Sequence, residues 1–189
     1  MKKIWIILGG IYLYLEFMII ILPFTLSHAS DFIPESVDAW FTENYLITAI
    51  LVLIIPTLFL FISGLFHAVF VTLKNAPVSK DQSVSLLRTQ LIMRFVQIPC
   101  YICIFLAGLI CFLTIFTIAF TFVFAIVDLA AIVITGLFSV PVYISLYKNG
   151  LIDKKQTALY SFLSFVFIAD VIVSVICYKH VIQKIRSVR

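Results

Sequence analysis

The sequence predicts an all-α fold, a polytopic transmembrane helix bundle of five spans. From Phe95 to Tyr147 there is no Lys, Arg, His or Glu, and Asp128 is the only charge. A helical bilayer crossing needs ~20 apolar residues, so this run holds two crossings back to back. The 189-residue chain is 63% hydrophobic and only 12% charged, with mean hydropathy +1.21. Soluble domains carry about 25% charged residues. Apolar runs recur from Ile4 to Tyr178, so the low charge belongs to the whole chain. The segments between the runs are about 20 residues at most, too short for a soluble core of their own.

The first predicted span covers about residues 4–26, after Lys2 and Lys3. Ser27-His28-Ala29 before Ser30 would suit a signal-peptidase site. The apolar stretch is longer than the usual ~7–15-residue signal core, and Glu16 interrupts it, so a retained helix is the preferred reading. Residues 27–44 form an acidic outer loop with Asp31, Glu35, Asp38 and Glu43 and no Lys or Arg. In it Ile33, Val37, Trp40 and Phe41 fall on one helical stripe, which predicts a short surface helix with Trp40 and Tyr45 as interfacial anchors.

The second span, about 45–73, contains Pro56, where a kink is expected, and a Gly64/Ala68 pair small enough for close helix contact. A basic inner loop, 74–94, follows. Ser79 and Gln82 have capping-box spacing, which predicts a helix running unbroken through Arg88 and Arg94 into the third span, about 95–117. Pro99 should bend it. No Gly, Pro or Asn marks the next turn, placed near Ile118–Phe124 by span length alone. The fourth span, about 125–147, contains Pro141 and ends at Lys148-Asn149-Gly150, with Gly150 as C-terminal cap. The fifth span is placed at about 157–178, before a basic tail.

Charge gives the orientation. With the N-terminus inside and five crossings, nine of the 13 Lys and Arg lie inside and four outside, as the positive-inside rule favours. The tail disagrees, because Lys179, Lys184, Arg186 and Arg189 would then lie outside. A cytoplasmic tail would require four or six crossings, or a re-entrant fifth segment.

Glu16, Asp128 and Asp170 are acids inside apolar runs. A charge at mid-membrane costs about 2.5–3.5 kcal/mol on insertion scales, which makes all three candidate ion or proton sites. At 1.5 Å per residue, Glu16 lies about 20 Å from Lys3, Asp170 about 22 Å from Lys155 and Asp128 about 30 Å from Lys148. All three then fall in the outer half, below the acidic loop, as a cation-attracting vestibule would require. Two structural alternatives stand beside it: Asp128 at the outer edge on a hairpin tip, and Glu16 and Asp170 protonated and hydrogen-bonded to neighbours.

Gln90, Arg94, Gln97 and Tyr101 recur on one helical face at the entrance to the third span. This face lines an inner opening or a headgroup site, or else Arg94 snorkels while its neighbours face another helix. His67 has no second His or acid at metal spacing and reads as a packed polar residue. Cys100-Tyr101-Ile102-Cys103 is formally a C-x-x-C. Membrane thiol oxidoreductases carry such a pair with a second, loop-borne cysteine pair, which Cys111 and Cys177 do not supply. The small stripe Cys103, Ala107 and Cys111 suits helix packing instead.

The segment Gln97-Ile98-Pro99-Cys100-Tyr101-Ile102, the apolar run through Asp128, and Phe167-Ile168-Ala169-Asp170-Val171 resemble small uncharacterised multispan bacterial membrane proteins over about half the chain. The resemblance implies membrane location and no activity.

Three function classes are compatible with these features. The first is a non-catalytic membrane protein acting by association, as an accessory, immunity or regulatory subunit. The second is a small proton- or cation-coupled transporter or channel using Glu16, Asp170 and Asp128. The third, with the least support, is a thiol oxidoreductase. The expected partners are the lipid bilayer and another membrane protein or a second copy. Nucleic acid is not expected, because the basic residues flank apolar runs. No cofactor is expected, since no Gly-rich phosphate loop is present.

Overall fold

A computed structural model describes residues 3–28, 35–73, 78–113, 118–166 and 168–187. Within these, the side chains of residues 16, 19–28, 35–43, 45–53, 72, 118–120 and 123 lie outside the description. The described residues form six helices: α1 (Lys3–His28), α2 (Glu35–Leu73), α3 (Lys80–Leu113), α4 (Ile118–Lys148), α5 (Lys154–Leu163) and α6 (Ala169–Ser187). The fold is an all-α bundle. Three of its helices contain stretches long and apolar enough to cross a bilayer: Ile54–Val71 in α2, Lys80–Leu113 in α3 and Phe124–Lys148 in α4. Lys3–Leu15 of α1 is a shorter apolar stretch.

Three boundaries differ from the sequence reading. First, α2 runs 39 residues without interruption, so its start and the second predicted span are one helix. The stripe residue Ile33 lies outside the described residues, as do the side chains of Val37, Trp40, Phe41 and Tyr45. Second, α3 ends at Leu113 and α4 begins at Ile118, ahead of the expected turn. Third, the fifth segment is not one helix. It stops after Leu163, turns, and restarts at Ala169.

That third break needs a physical cause, because it contains neither Gly nor Pro. Phe165 and Val166 N–H groups tighten onto Phe162 and Leu163 carbonyls, and Ile168 adopts φ 66°. A β-branched residue rarely takes this left-handed conformation. Tertiary contact compensates: a Cβ on Gly136 of α4 would lie 2.7 Å from the Phe165 ring and 3.1 Å from the Ser164 carbonyl oxygen. The absence of a side chain at Gly136 is what admits the turn. By contrast, the predicted caps form as expected. Gln82 N–H donates to Ser79 Oγ at 3.3 Å, and Gly150 takes φ 67° with its N–H on the Tyr147 carbonyl at 2.8 Å.

Cross-helix contacts fix the directions. Met93 approaches Gly10 and Cys100 approaches the Leu13 carbonyl, so α1 and α3 run parallel. Ser83 meets Ser145 while Thr121 reaches the Gly108 carbonyl, so α3 and α4 are antiparallel. Gly64 packs on Leu137 and the Val71 carbonyl accepts from Lys148, so α2 and α4 are parallel. Gly64 thus uses its small size against α4. Arg94 meets Asp170 and Gln90 meets Ser174, so α6 is antiparallel to α3. The α5–α6 pair is therefore a hairpin: α6 comes back to the end where α5 starts. The starts of α1, α3 and α5 and the ends of α2, α4 and α6 share that end.

The bundle is apolar outside and polar within. Ile62, Phe66, Phe105, Ile110, Phe122 and Ile126 are exposed, while Ser83, Gln90, Arg94, Gln97, Thr135, Ser139, Asp170 and Ser174 are buried. In water this arrangement would expose large apolar patches. In a bilayer it puts hydrocarbon on the lipid side and hydrogen-bonding groups at helix contacts.

Candidate functional site

The site is the polar face of α3 together with what α4 and α6 bring to it. Arg94 and Asp170 are 2% and 3% exposed, and Arg94 Nη1 lies 2.6 Å from Asp170 Oδ2. The same guanidinium donates to Thr135 Oγ1 at 2.7 Å and Ser139 Oγ at 3.0 Å. Both hydroxyls are free to accept, because their own protons go to helix carbonyls one turn earlier, Ala131 and Thr135. Asp170 Oδ1 accepts from the Val171 N–H at 2.6 Å, in the first turn of α6 where the helix dipole favours an acid. Groups from three helices thus surround the pair, although Asp170 Oδ2 has the ion contact alone and no hydrogen bond among the described residues; a buried ion pair needs such further partners if it is not to cost stability.

One turn closer to the basic end of α3, Gln90 Nε2 donates to Tyr143 OH at 3.1 Å and Ser174 Oγ at 3.4 Å. One turn the other way, Gln97 Nε2 reaches the Gly9 and Gly10 carbonyls at 3.5 and 3.4 Å, which ties α1 to the same file. A cavity of about 10 Å³ lies among Gly9, Gly10, Gln90, Arg94 and Gln97, which is about the space one water occupies. Tyr101, also buried, continues the face. Toward the basic end the file is interrupted by the fully buried Leu86, Leu87, Val142 and Leu146. Polarity resumes at Ser83, whose Oγ lies 2.7 Å from Ser145 Oγ and accepts from Asn149 Nδ2 at 2.9 Å.

Gln90, Arg94, Gln97 and Tyr101 thus lie buried on one face of α3, and Arg94 points into the bundle rather than snorkelling outward. Asp170, for which the sequence leaves open an outer vestibule or a protonated, hydrogen-bonded role, joins this face. The expectation treats 157–178 as one helix; the break brings Asp170 against Arg94. Thr135 and Ser139 precede Lys148 by about 20 and 14 Å along α4. Asp128 is not brought into the cluster. It sits in α4 about 15 Å from Ile118 rather than in a turn. There it is half-buried and lines a cavity of about 260 Å³ with Ile104, Gly108, Thr121 and Phe124. Glu16 is on α1, with its side chain outside the described residues.

The remaining candidates are structural in their surroundings. The His67 ring packs tilted against Trp5, centroids 5.1 Å apart, and its Nδ1 lies 3.0 Å from the Ser63 carbonyl oxygen. Cys100 is buried against α1 while Cys103 is exposed, and none of the four cysteines forms a disulfide. Among the described residues no three His, Cys, Asp or Glu side chains come together as metal ligands would.

Thr135, Ser139, Tyr143 and Ser174 were not singled out by the sequence reading. Their signal was present on α4: Thr135, Ser139 and Tyr143 are polar residues at i, i+4 and i+8 within the longest apolar run.

No curated protein and no solved structure matches the chain. A family model does match, over residues 2–183, and the chain belongs to that family, described as a family of unknown function (DUF6652).

Proposed function

We propose that this is a multi-pass protein of the bacterial inner membrane that acts by association with another membrane protein, as an accessory, immunity or regulatory subunit, and not by catalysis. In this reading α1 to α4 cross the bilayer and α5–α6 enters from the cytoplasmic side and returns. The count is four crossings and one re-entrant hairpin. The reversal at Ser164–Ile168 supports it, as does the charge it collects. Lys3, Lys80, Lys148, Lys154, Lys155, Lys184 and Arg186 all come to one end of the bundle. The tail that disagreed with five crossings then obeys the positive-inside rule.

The observation that carries the non-catalytic part is the Arg94–Asp170 pair. Asp170, one of the acids that stood out as ion sites, already lies 2.6 Å from a buried cation, whose guanidinium is also held by Thr135 and Ser139. Such a group welds α6 to α3 rather than waiting for a substrate.

The transporter reading has one observation in its favour. Asp170 and Tyr101 line a groove of about 480 Å³ with Ile98, Ile102, Phe105 and Leu106, open at the side of the bundle. Flux measurements on liposomes separate the two readings. The association reading expects no proton or cation flux from the purified protein and a stable partner on gentle extraction. Flux that Asp170→Asn abolishes would replace it with transport.

A further inference from the structure

The hairpin brings together basic residues that lie far apart in the sequence. The register that pairs Arg94 with Asp170 and Gln90 with Ser174 places Lys80 level with Lys184. Tyr160 of α5 meets Tyr143 of α4 with ring centroids 5.8 Å apart, and Phe165 faces Gly136, so α5 is antiparallel to α4 and Lys154 and Lys155 lie level with Lys148 and Asn149, the level that the Ser83–Ser145 contact also gives Lys80. Lys80, Lys154, Lys155, Lys184 and Arg186 therefore form one layer across the ends of α3, α5 and α6. All five are exposed. None is in an ion pair among the described residues, where Arg94–Asp170 is the one salt bridge. The acids at this end are Asp81 and Asp153, and the Asp153 N–H is held by Gln156 Oε1 at 3.0 Å as a cap to α5. The opposite end of α2 carries acids and no base.

From this we infer that the layer is a docking surface for the headgroups of anionic phospholipids, which clamp the re-entrant hairpin to α3. Unpaired cations gathered on three helices repel one another, and their combined field attracts anions. Phosphates bridging them remove that repulsion and add charge-assisted hydrogen bonds. A cluster of four to eight Lys and Arg beside a membrane span is the usual composition of such a surface. Lipid is favoured over an acidic protein because the layer lies at the level where α4 leaves its apolar stretch at Lys148. The inference rests on the four-crossing reading.

The test uses the full chain in vesicles of phosphatidylcholine alone or with phosphatidylglycerol. The expected result is a Tm higher by several degrees with phosphatidylglycerol, a difference that shrinks as salt is raised. The variant Lys154→Gln/Lys155→Gln/Lys184→Gln/Arg186→Gln should lose that difference, with a Tm in phosphatidylcholine no lower than that of the wild type, since the mutual repulsion of the cations is gone. Equal wild-type Tm values in the two vesicles would overturn the inference, as would a quadruple variant that keeps the full difference. Thiol labelling of Ser187→Cys from each side runs in parallel. Labelling from the acidic side would reject the topology itself, and cytoplasmic labelling without lipid preference would reject only the lipid surface.

Discussion

Removing either member of the Arg94–Asp170 pair should be far more damaging than removing both. In Asp170→Ala, Arg94 stays 2% exposed with only the neutral Thr135 and Ser139 hydroxyls to receive it. Breaking one side of a buried pair costs about 3–5 kcal/mol. For a chain of this size, a Tm loss of roughly 6–20 °C follows at ~2–4 °C per kcal/mol. Asp170→Asn should cost less, since an amide oxygen still accepts from the guanidinium. Arg94→Met with Asp170→Leu removes both charges at similar volume, and apolar replacement of a buried pair is often neutral or stabilising. The double variant should therefore recover most of the loss. Thermal unfolding in detergent micelles of the two singles and the double gives a complete cycle. Single variants within ~1 kcal/mol of wild type would refute the reasoning, as would a double variant whose loss equals the sum of the singles.

Other substitutions probe the elements around the pair. Gly136→Val places a side chain where the Phe165 ring already comes within 2.7 Å of a built Cβ. It should destabilise by about 1–3 kcal/mol as an overpacked contact, and Phe165→Ala on the same background should restore part of it in the same unfolding assay. Gly150→Ala forces a side chain onto φ 67° and should cost about 1–2 kcal/mol. Asn149→Ala removes donors to Ser83, Val78 and Ser145 and should lower stability by about 1–3 kcal/mol. A membrane-permeant maleimide should modify exposed Cys103 and spare buried Cys100 and Cys177, which mass spectrometry reads directly. Oxidant treatment should not join Cys100 to Cys103.

Much of this architecture is written in local signals. The capping-box spacing at Ser79, the glycine stop at Gly150 and the apolar run from Phe95 to Tyr147, with its single charge at Asp128, are all local patterns, and each predicts its helix. The polar face of α3 was legible for the same reason, because helical spacing puts Gln90, Arg94, Gln97 and Tyr101 on one side. What that face touches was not legible. The α5–α6 break carries no Gly or Pro. It exists because Gly136, some 30 residues earlier on another helix, leaves room for Phe165. A tertiary cause of this kind has no local pattern. Missing it displaced Asp170, and with it the partner of Arg94. The charge count carries a related tension, since the tail's basic residues do not fit an outer location.

The return of α6 underlies both the ion pair's setting and the proposed topology, so the side of the chain's last residues is the measurement that bears on it most directly. Paired reporters, active either in the cytoplasm or beyond the membrane, fused after Arg189 and within residues 74–77 of the basic loop, make the comparison internal. Four crossings with a re-entrant hairpin predict that both positions report the cytoplasm. A fusion after Arg189 that reports the opposite side from the loop would contradict the hairpin and restore a fifth crossing.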